Sequence, residues 1–237
     1  MSELSTIAVL GAGALGAAMA TRLGHTGHQV RLWNRTADKA RVAAAGAPGV
    51  RAADTVAEAV TGAAVVFTVL RDGEAVTEVM SSAVESLAEH AVWVQASTVG
   101  PDSARALADL AAAHRVAYLD APVSGSTGPA LNGTLVWLVS GAADVVDRAR
   151  PVLADLGSTV LHVGTGTQGS ALKLVVNAWM TAATVAMSDV LALCDDVGIE
   201  HDTLVRALAA GPLAMPYELQ KVDLMTSGSY PAGFAVR

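Results

Sequence analysis

Cysteine is nearly missing from this sequence: Cys194 is the single one among 237 residues. No disulfide can form within the chain, so a disulfide-stapled fold is excluded and a reducing, cytoplasmic compartment is expected. Positive charge is the scarcer sign, with 15 Lys and Arg against 22 Asp and Glu, a formal −7. That surplus would repel phosphates and argues against a nucleic-acid partner. The six histidines are scattered and show no close His/Cys pairing, and no metal site is expected. Long apolar runs are missing too, despite a mean hydropathy of +0.45 that comes mainly from Ala and Val. Residues 174–188 lack charge but are short and contain Asn177, Thr181 and Thr184, and residues 121–143 are broken by Gly, Pro and Asn. A membrane span needs about 20 apolar residues, so no membrane partner is expected. The uncharged stretch 4–21 could pass for a signal peptide, but it is preceded by Glu3 and by no Lys or Arg. It therefore reads as mature, folded sequence.

What is present is an alternation. Short runs rich in Val, Ile and Leu predict strands at 7–10, 29–33, 64–70, 92–96, 117–120, 135–139 and 159–162. Between them, Ala-rich amphipathic patterns predict helices at 14–25, 36–45, 74–88, 102–114 and 144–156. Buried strands alternating with helices imply an α/β fold with a mostly parallel sheet covered on both faces. After Gly169 the strand signals stop. Residues 171–197 read as one helix ended by Gly198, with Trp179, Met180 and Met187 as its core residues, and further helices follow at 202–210 and 217–225. At ~1.5 Å per residue the long helix spans about 40 Å, long for one compact domain. It is expected to lead from a sheet domain, 1–163, into an all-α domain, 164–237, for substrate binding and dimerisation.

Gly11-Ala12-Gly13-Ala14-Leu15-Gly16 follows the first strand and opens the first helix, with a second strand close behind. In that setting Gly11 makes the tight turn, Gly13 lets a pyrophosphate approach the backbone, and Gly16 lets helix and strand pack closely. The pyrophosphate would rest on the helix N-terminus, around Ala14 and Leu15. This is the signature of a Rossmann-type dinucleotide-binding domain, and no Gly-Lys-Ser/Thr follows to make a phosphoryl-transfer loop. The second strand ends in Asn34-Arg35-Thr36, where an acidic residue would grip an NAD ribose. Asn34 and Thr36 can donate hydrogen bonds and Arg35 can pair with a 2′-phosphate, so NADP(H) is expected, with NAD(H) as the weaker alternative. Asn34 and Thr36 could instead cap the following helix. Residues 1–51 hold six basic and two acidic side chains, a local +4 that leaves −11 to the remainder and fits a small anionic ligand at this end.

Two further motifs are Asp120-Ala121-Pro122-Val123-Ser124-Gly125-Ser126, and Gly164-Thr165-Gly166-Thr167-Gln168-Gly169 with Lys173 and Asn177 beyond it. Together with the glycine turn, they make essentially the whole chain resemble the β-hydroxyacid dehydrogenase family. That family includes 3-hydroxyisobutyrate dehydrogenases, tartronate semialdehyde reductases and glyoxylate/succinic semialdehyde reductases. Val-Ser-Gly-Ser followed by Pro129-Ala130, the run Lys173 to Asn177, and Ser229-Tyr230-Pro231 are most similar to the last group. Many relatives have a second glycine at the position of Ser126. The resemblance implies that Ser124, Gly125 and Ser126 hold the substrate carboxylate, and that Leu70 and Thr98 line the cofactor, although Thr98 could equally cap the helix that holds Pro101. It matches Phe234 to a substrate-side aromatic. It also implies that the family continues past the position of Arg237 into helices opening with Lys-Asp-Leu, so the helical domain is expected to be incomplete in this chain.

Lys173 and Asn177 stand at i and i+4 and share one face of the long helix. A lysine that loses solvent has a lowered pKa and can pass a proton to the oxygen that gains charge during hydride transfer. An exposed lysine on a polar patch is the bland alternative, and Asn177 could hold the ammonium, the substrate oxygen or a backbone carbonyl. The expected activity is NADPH-dependent interconversion of a small aldehyde-acid and its hydroxyacid by a homodimer joined through its C-terminal helices. An imine reductase on the same fold, and a non-catalytic dinucleotide-binding module, are the rivals. Lys173 argues against the first, and Lys173 together with Asn177 against the second.

Overall fold

A computed structural model describes residues 5–230; Phe234 and Pro231 lie outside them. Its first part is a βα alternation: β1 (Thr6–Leu10), α1 (Ala14–His25), β2 (Gln29–Trp33), α2 (Ala37–Ala45), β3 (Val50–Ala52), α3 (Val56–Val60), β4 (Val65–Thr68), α4 (Gly73–Ser81), β5 (Val92–Gln95), α5 (Gly100–Ala113) and β6 (Ala117–Asp120). Then come β7 (Val123–Ser124), α6 (Thr127–Asn132), β8 (Leu135–Ser140), α7 (Ala143–Leu156), β9 (Gly157–Gly164) and the long α8 (Gln168–Val197), followed by α9 (His201–Ala209) and α10 (Pro216–Ser227). One sheet runs β3-β2-β1-β4-β5-β6-β8-β7, with β9 on β8. Its first six strands are parallel, so their C-terminal ends lie along one edge, whereas β8 runs antiparallel to β6 and β7.

Local sequence explains the elements. The central parallel strands β1, β4 and β5 are mostly apolar and buried on both faces, as a sheet sandwiched by helices demands. One face packs Met19, Leu23, Val146 and Leu153 of α1 and α7 against Val9, Phe67 and Trp137. The other packs Val60, Val76, Met80 and Leu107 of α3, α4 and α5 against Leu10, Val66 and Trp93. Thr55 caps α3 and Asp72 caps α4, each side chain accepting a backbone N–H three residues on. The strand expected over 64–70 stops at Thr68, because the Leu70 N–H turns aside to Ser97 Oγ at 2.9 Å.

The chain divides into two compact units, one ending at Leu174 and the other starting at Val175. This division falls inside α8, beyond the boundary expected at 163/164, because the first turn of that helix is bonded to β6 through Ser170. In the second unit Leu191, Cys194, Glu218 and Val222 are buried, but Trp179 and Met180 are 65% and 37% exposed, so those two are not the core residues the sequence suggested. α8 runs unbroken for 30 residues, and an 18-residue window of it has mean hydropathy 1.4 with 6% buried. By length and composition it could cross a membrane. The span test applied to the sequence took only the uncharged residues 174–188 of this helix, which continues past Ser188 and Asp189. Trp179, Met187, Leu208, Leu213 and Met215 line an open groove of about 420 Å³ within this unit, with Glu218 beside them.

Candidate active site

The glycine-rich turn leaves β1 and enters α1. Gly11 has φ +122°, and its N–H donates to the Trp33 carbonyl at 2.8 Å. A Cβ on Gly11 would lie 2.1 Å from the Val69 carbonyl oxygen, and one on Gly16 1.9 Å from that of Gly11. Both glycines are therefore required by backbone packing. Gly13 is different: a Cβ there would meet nothing within 4 Å. Gly13, Ala14 and half-buried Leu15 open α1 towards solvent without any side-chain cap. The bare helix N-terminus and the unfilled space above Gly13 fit a dinucleotide pyrophosphate.

At the end of β2 the structure assigns different tasks to the three polar residues. Asn34 Oδ1 accepts the Ala12 N–H at 3.0 Å, and its amide donates to the Thr36 carbonyl at 3.0 Å. Asn34 thus holds the glycine turn, which sequence alone did not suggest. Thr36 occupies the N-cap position just before α2, but its side chain makes no capping bond. Arg35 and Thr36 are exposed. The local +4 is largely spent inside the protein: Arg22 donates to the Asp155 carbonyl, Arg31 to those of Glu58 and Thr61, and Arg41 and Arg51 pair with Asp38, Asp54 and Glu58. Among the described residues Arg35 and Lys39 make no side-chain hydrogen bond. Arg71, directly after Leu70, pairs with Asp72 at 2.6 Å. The Asp72 carboxyl lies below its usual range because it accepts the Ala75 N–H, with Arg71 and Arg35 adding to the effect. Two guanidinium groups, Arg35 and Arg71, thus lie close enough to Asp72 to act on its carboxyl, beyond the ends of β2 and β4. Arg71 was overlooked, although its place just after a strand end was a usable signal.

A buried polar row crosses the same edge. Thr68, Gln95, Asp120 and Ser140 stand in register on neighbouring strands β4, β5, β6 and β8, all fully buried. Gln95 Oε1 accepts from Thr68 Oγ1 at 3.0 Å and from the Ser97 N–H at 2.9 Å, while its amide donates to the Ser97 carbonyl. Ser97 in turn holds Leu70. This network sets the two turns that present Leu70 and Thr98. Thr98 is exposed, and Val99 rather than Thr98 takes the capping position of α5, which removes the helix-cap alternative.

Beyond β6 the chain forms the Ser124-Gly125-Ser126 corner. Gly125 has φ +127°, a conformation that strains any residue with a Cβ, and Leu135 would be 2.8 Å from that Cβ. Ser126 is extended at φ −132°, ψ −159°, so serine is unstrained where relatives carry a second glycine. Lys173, on the second turn of α8, is half-buried, and burial pushes its ammonium below the usual lysine range. Asn177 is half-buried one turn further along the helix. The ends of β1, β2, β4, β5 and β6 therefore bring the predicted cofactor and acid-loop positions to one sheet edge, and Ser170 ties the start of α8 to it. Among the described residues no group of three or more His, Cys, Asp or Glu could hold a metal ion.

Residues 6–164 match the NAD binding domain of 6-phosphogluconate dehydrogenase. A probable 3-hydroxyisobutyrate dehydrogenase of Mycobacterium tuberculosis is 34% identical over 203 residues, 85% of this chain and 68% of the relative. A solved structure of Mycobacterium tuberculosis 3-hydroxyisobutyrate dehydrogenase with L-serine superposes with a TM-score of 0.82 at 30% identity, covering 91% of this chain and 73% of that one. The chloroplastic glyoxylate/succinic semialdehyde reductase 2 of Arabidopsis thaliana is 28% identical over 99% of this chain and 66% of its own. An imine reductase from Aspergillus terreus, in complex with NADPH4 and dibenz[c,e]azepine, superposes with a TM-score of 0.79 at 26% identity, over 99% of this chain and 81% of that one. With the dinucleotide turn, the parallel sheet edge and these relatives in agreement, the chain belongs to the β-hydroxyacid dehydrogenase family and is an NAD(P)-dependent oxidoreductase.

Proposed function

We propose that this oxidoreductase prefers NADP(H) and interconverts a small aldehyde-acid, such as glyoxylate or succinic semialdehyde, with its hydroxyacid. The observation that carries the reading is Lys173, half-buried and shifted towards easier proton release, on a helix bonded to the strand edge that bears the dinucleotide turn. A bound nicotinamide supplies the hydride. Lys173 Nζ gives a proton to the substrate oxygen that becomes the alcohol and, in the oxidising direction, takes it back. Asn177, on the same helix face, orients that ammonium or the substrate oxygen. Backbone N–H groups of Ser124, Gly125 and Ser126 hold the substrate carboxylate, which aligns its carbonyl for transfer. Arg35, with Arg71 beside it, favours the 2′-phosphate. Exposed Trp179 and Leu213 support a homodimer built from the C-terminal helices, and the lone cysteine suits a reducing cytoplasm.

The test is consumption of NADPH and of NADH over a panel of succinic semialdehyde, glyoxylate, butanal and a cyclic imine, with 3-hydroxyisobutyrate and L-serine run in the oxidising direction. The acids should exceed butanal in kcat/KM, because only they gain charge-assisted bonds at the Ser124 corner. A preference for butanal overturns the acid assignment. A preference for the imine moves the protein to the reaction named for its Aspergillus neighbour.

A further inference from the structure

Asp120 is a carboxylate at the end of β6 with no exposed surface. Its Oδ1 accepts from Ser170 Oγ at 2.6 Å and its Oδ2 from the Ser170 N–H at 2.7 Å. Ser140 Oγ lies 3.3 Å from the same Oδ2 and accepts the Gly169 N–H at 3.0 Å. Gly169 is pressed so close to the sheet that a Cβ would stand 2.3 Å from the Leu138 carbonyl oxygen and 2.6 Å from that of Asp120. Burying a carboxyl here is unfavourable, and burial raises its pKa against the opposing Ser170 and Ser140 bonds. A neutral spacer would fill the place at less cost, so the two acceptor oxygens call for an explanation.

Both oxygens receive donors from one residue, Ser170, through its backbone and its side chain. Such a two-point grip fixes the rotation of the first turn of α8 about its own axis as well as its position. Ser170 and Lys173 are three residues apart, which at about 100° per residue leaves them roughly 60° apart around the helix. Among the described residues Lys173 makes no side-chain hydrogen bond of its own. The direction of its side chain therefore follows the roll of the helix. We infer that Asp120 is a positioning residue for Lys173, aiming it through Ser170 at the reacting oxygen. The inference rests on the proposed role of Lys173 as proton donor.

The experiment compares Asp120→Ala, Asp120→Asn, Ser170→Ala, Lys173→Ala and the Asp120→Ala/Lys173→Ala double variant in the full chain. Asp120→Ala should lower kcat about 10- to 100-fold with NADPH affinity kept within about twofold, yet cost no more than about threefold once Lys173 is gone, because coupled residues are not additive. Asp120→Asn keeps one acceptor for the Ser170 N–H and should recover part of the rate. In the cofactor-free protein, amide hydrogen exchange at residues 169–173 should quicken in Asp120→Ala while that of β1 stays unchanged. Where Asp120→Ala does not fold, Ser170→Ala, which removes the Oδ1 contact alone, carries the same comparison with a smaller loss. Equal fold losses with and without Lys173, or unchanged exchange at 169–173, overturn the positioning role alone. If Lys173→Ala keeps the full rate, the proton-donor assignment falls and takes this role with it.

Discussion

At the residue scale, the shift at Lys173 has a sign that kinetics can read. In the reducing direction the group must arrive protonated, so kcat/KM should fall as pH rises through a pKa lowered by burial from the ordinary 10.5. The same shift means that the folded protein binds fewer protons than the unfolded chain between those two pKa values, so its contribution to stability rises with pH across that window. In a pH–rate series, Lys173→Ala should lose the basic limb and lower the rate by about 10²–10⁴ while NADPH still binds. Two glycines give a contrasting pair. Gly13→Ala meets open space, so its melting temperature should hold while cofactor affinity drops. Gly16→Ala drives a Cβ into the Gly11 carbonyl and should lower both. For Arg35→Ala, titration of both cofactors should show the NADP+ preference shrink by about 10- to 150-fold, the worth of one charge-assisted bond at roughly 1.5–3 kcal/mol. The glycine turn was legible in the sequence because its pattern lies within six neighbouring positions, although Gly11 itself is held against the distant Val69 and Trp33 carbonyls. The bond from Asn34 to Ala12 and the grip of Asp120 on Ser170 were not, since they join residues 22 and 50 positions apart.

At the element scale, hydrophobic periodicity marked α1, α5 and α7 and the strands of the parallel core to within a few residues. It missed β3, α3, β7 and α6, which span two to six residues, too few to show a period and held instead by pairing or caps. It also gave no hint that β8 turns antiparallel, because a buried strand reads alike in either direction. The in-register polar row inside β4, β5, β6 and β8 was equally hidden, because single polar residues at strand ends look like loop beginnings. Gln95→Leu tests that row. It would leave the Ser97 N–H and the Thr68 hydroxyl without their shared acceptor, and each orphaned buried group costs about 1–3 kcal/mol. Urea unfolding should show that loss, accompanied by weaker NADPH binding as the turns at Leu70 and Thr98 loosen.

At the scale of the whole molecule, the net negative charge argued against a nucleic-acid partner before any motif was read, whereas the exposed apolar flank of α8 became visible only in the structure. Trp179 and Leu213, 65% and 73% exposed, form part of a surface that water covers poorly. Sedimentation of the full chain should give a dimer, and Trp179→Glu should move it towards monomer at micromolar concentration. A dimer left intact by that change would place the contact elsewhere. The strand order carries a last consequence. β2, with Arg35 at its end, and β6, with the Ser124-Gly125-Ser126 corner beyond it, are separated by β1, β4 and β5, about 19 Å at ~4.8 Å per strand spacing. The coenzyme preference proposed at one end of this edge and the substrate choice proposed at the other should therefore be separately alterable: Arg35→Ala should leave KM for the aldehyde-acid unchanged.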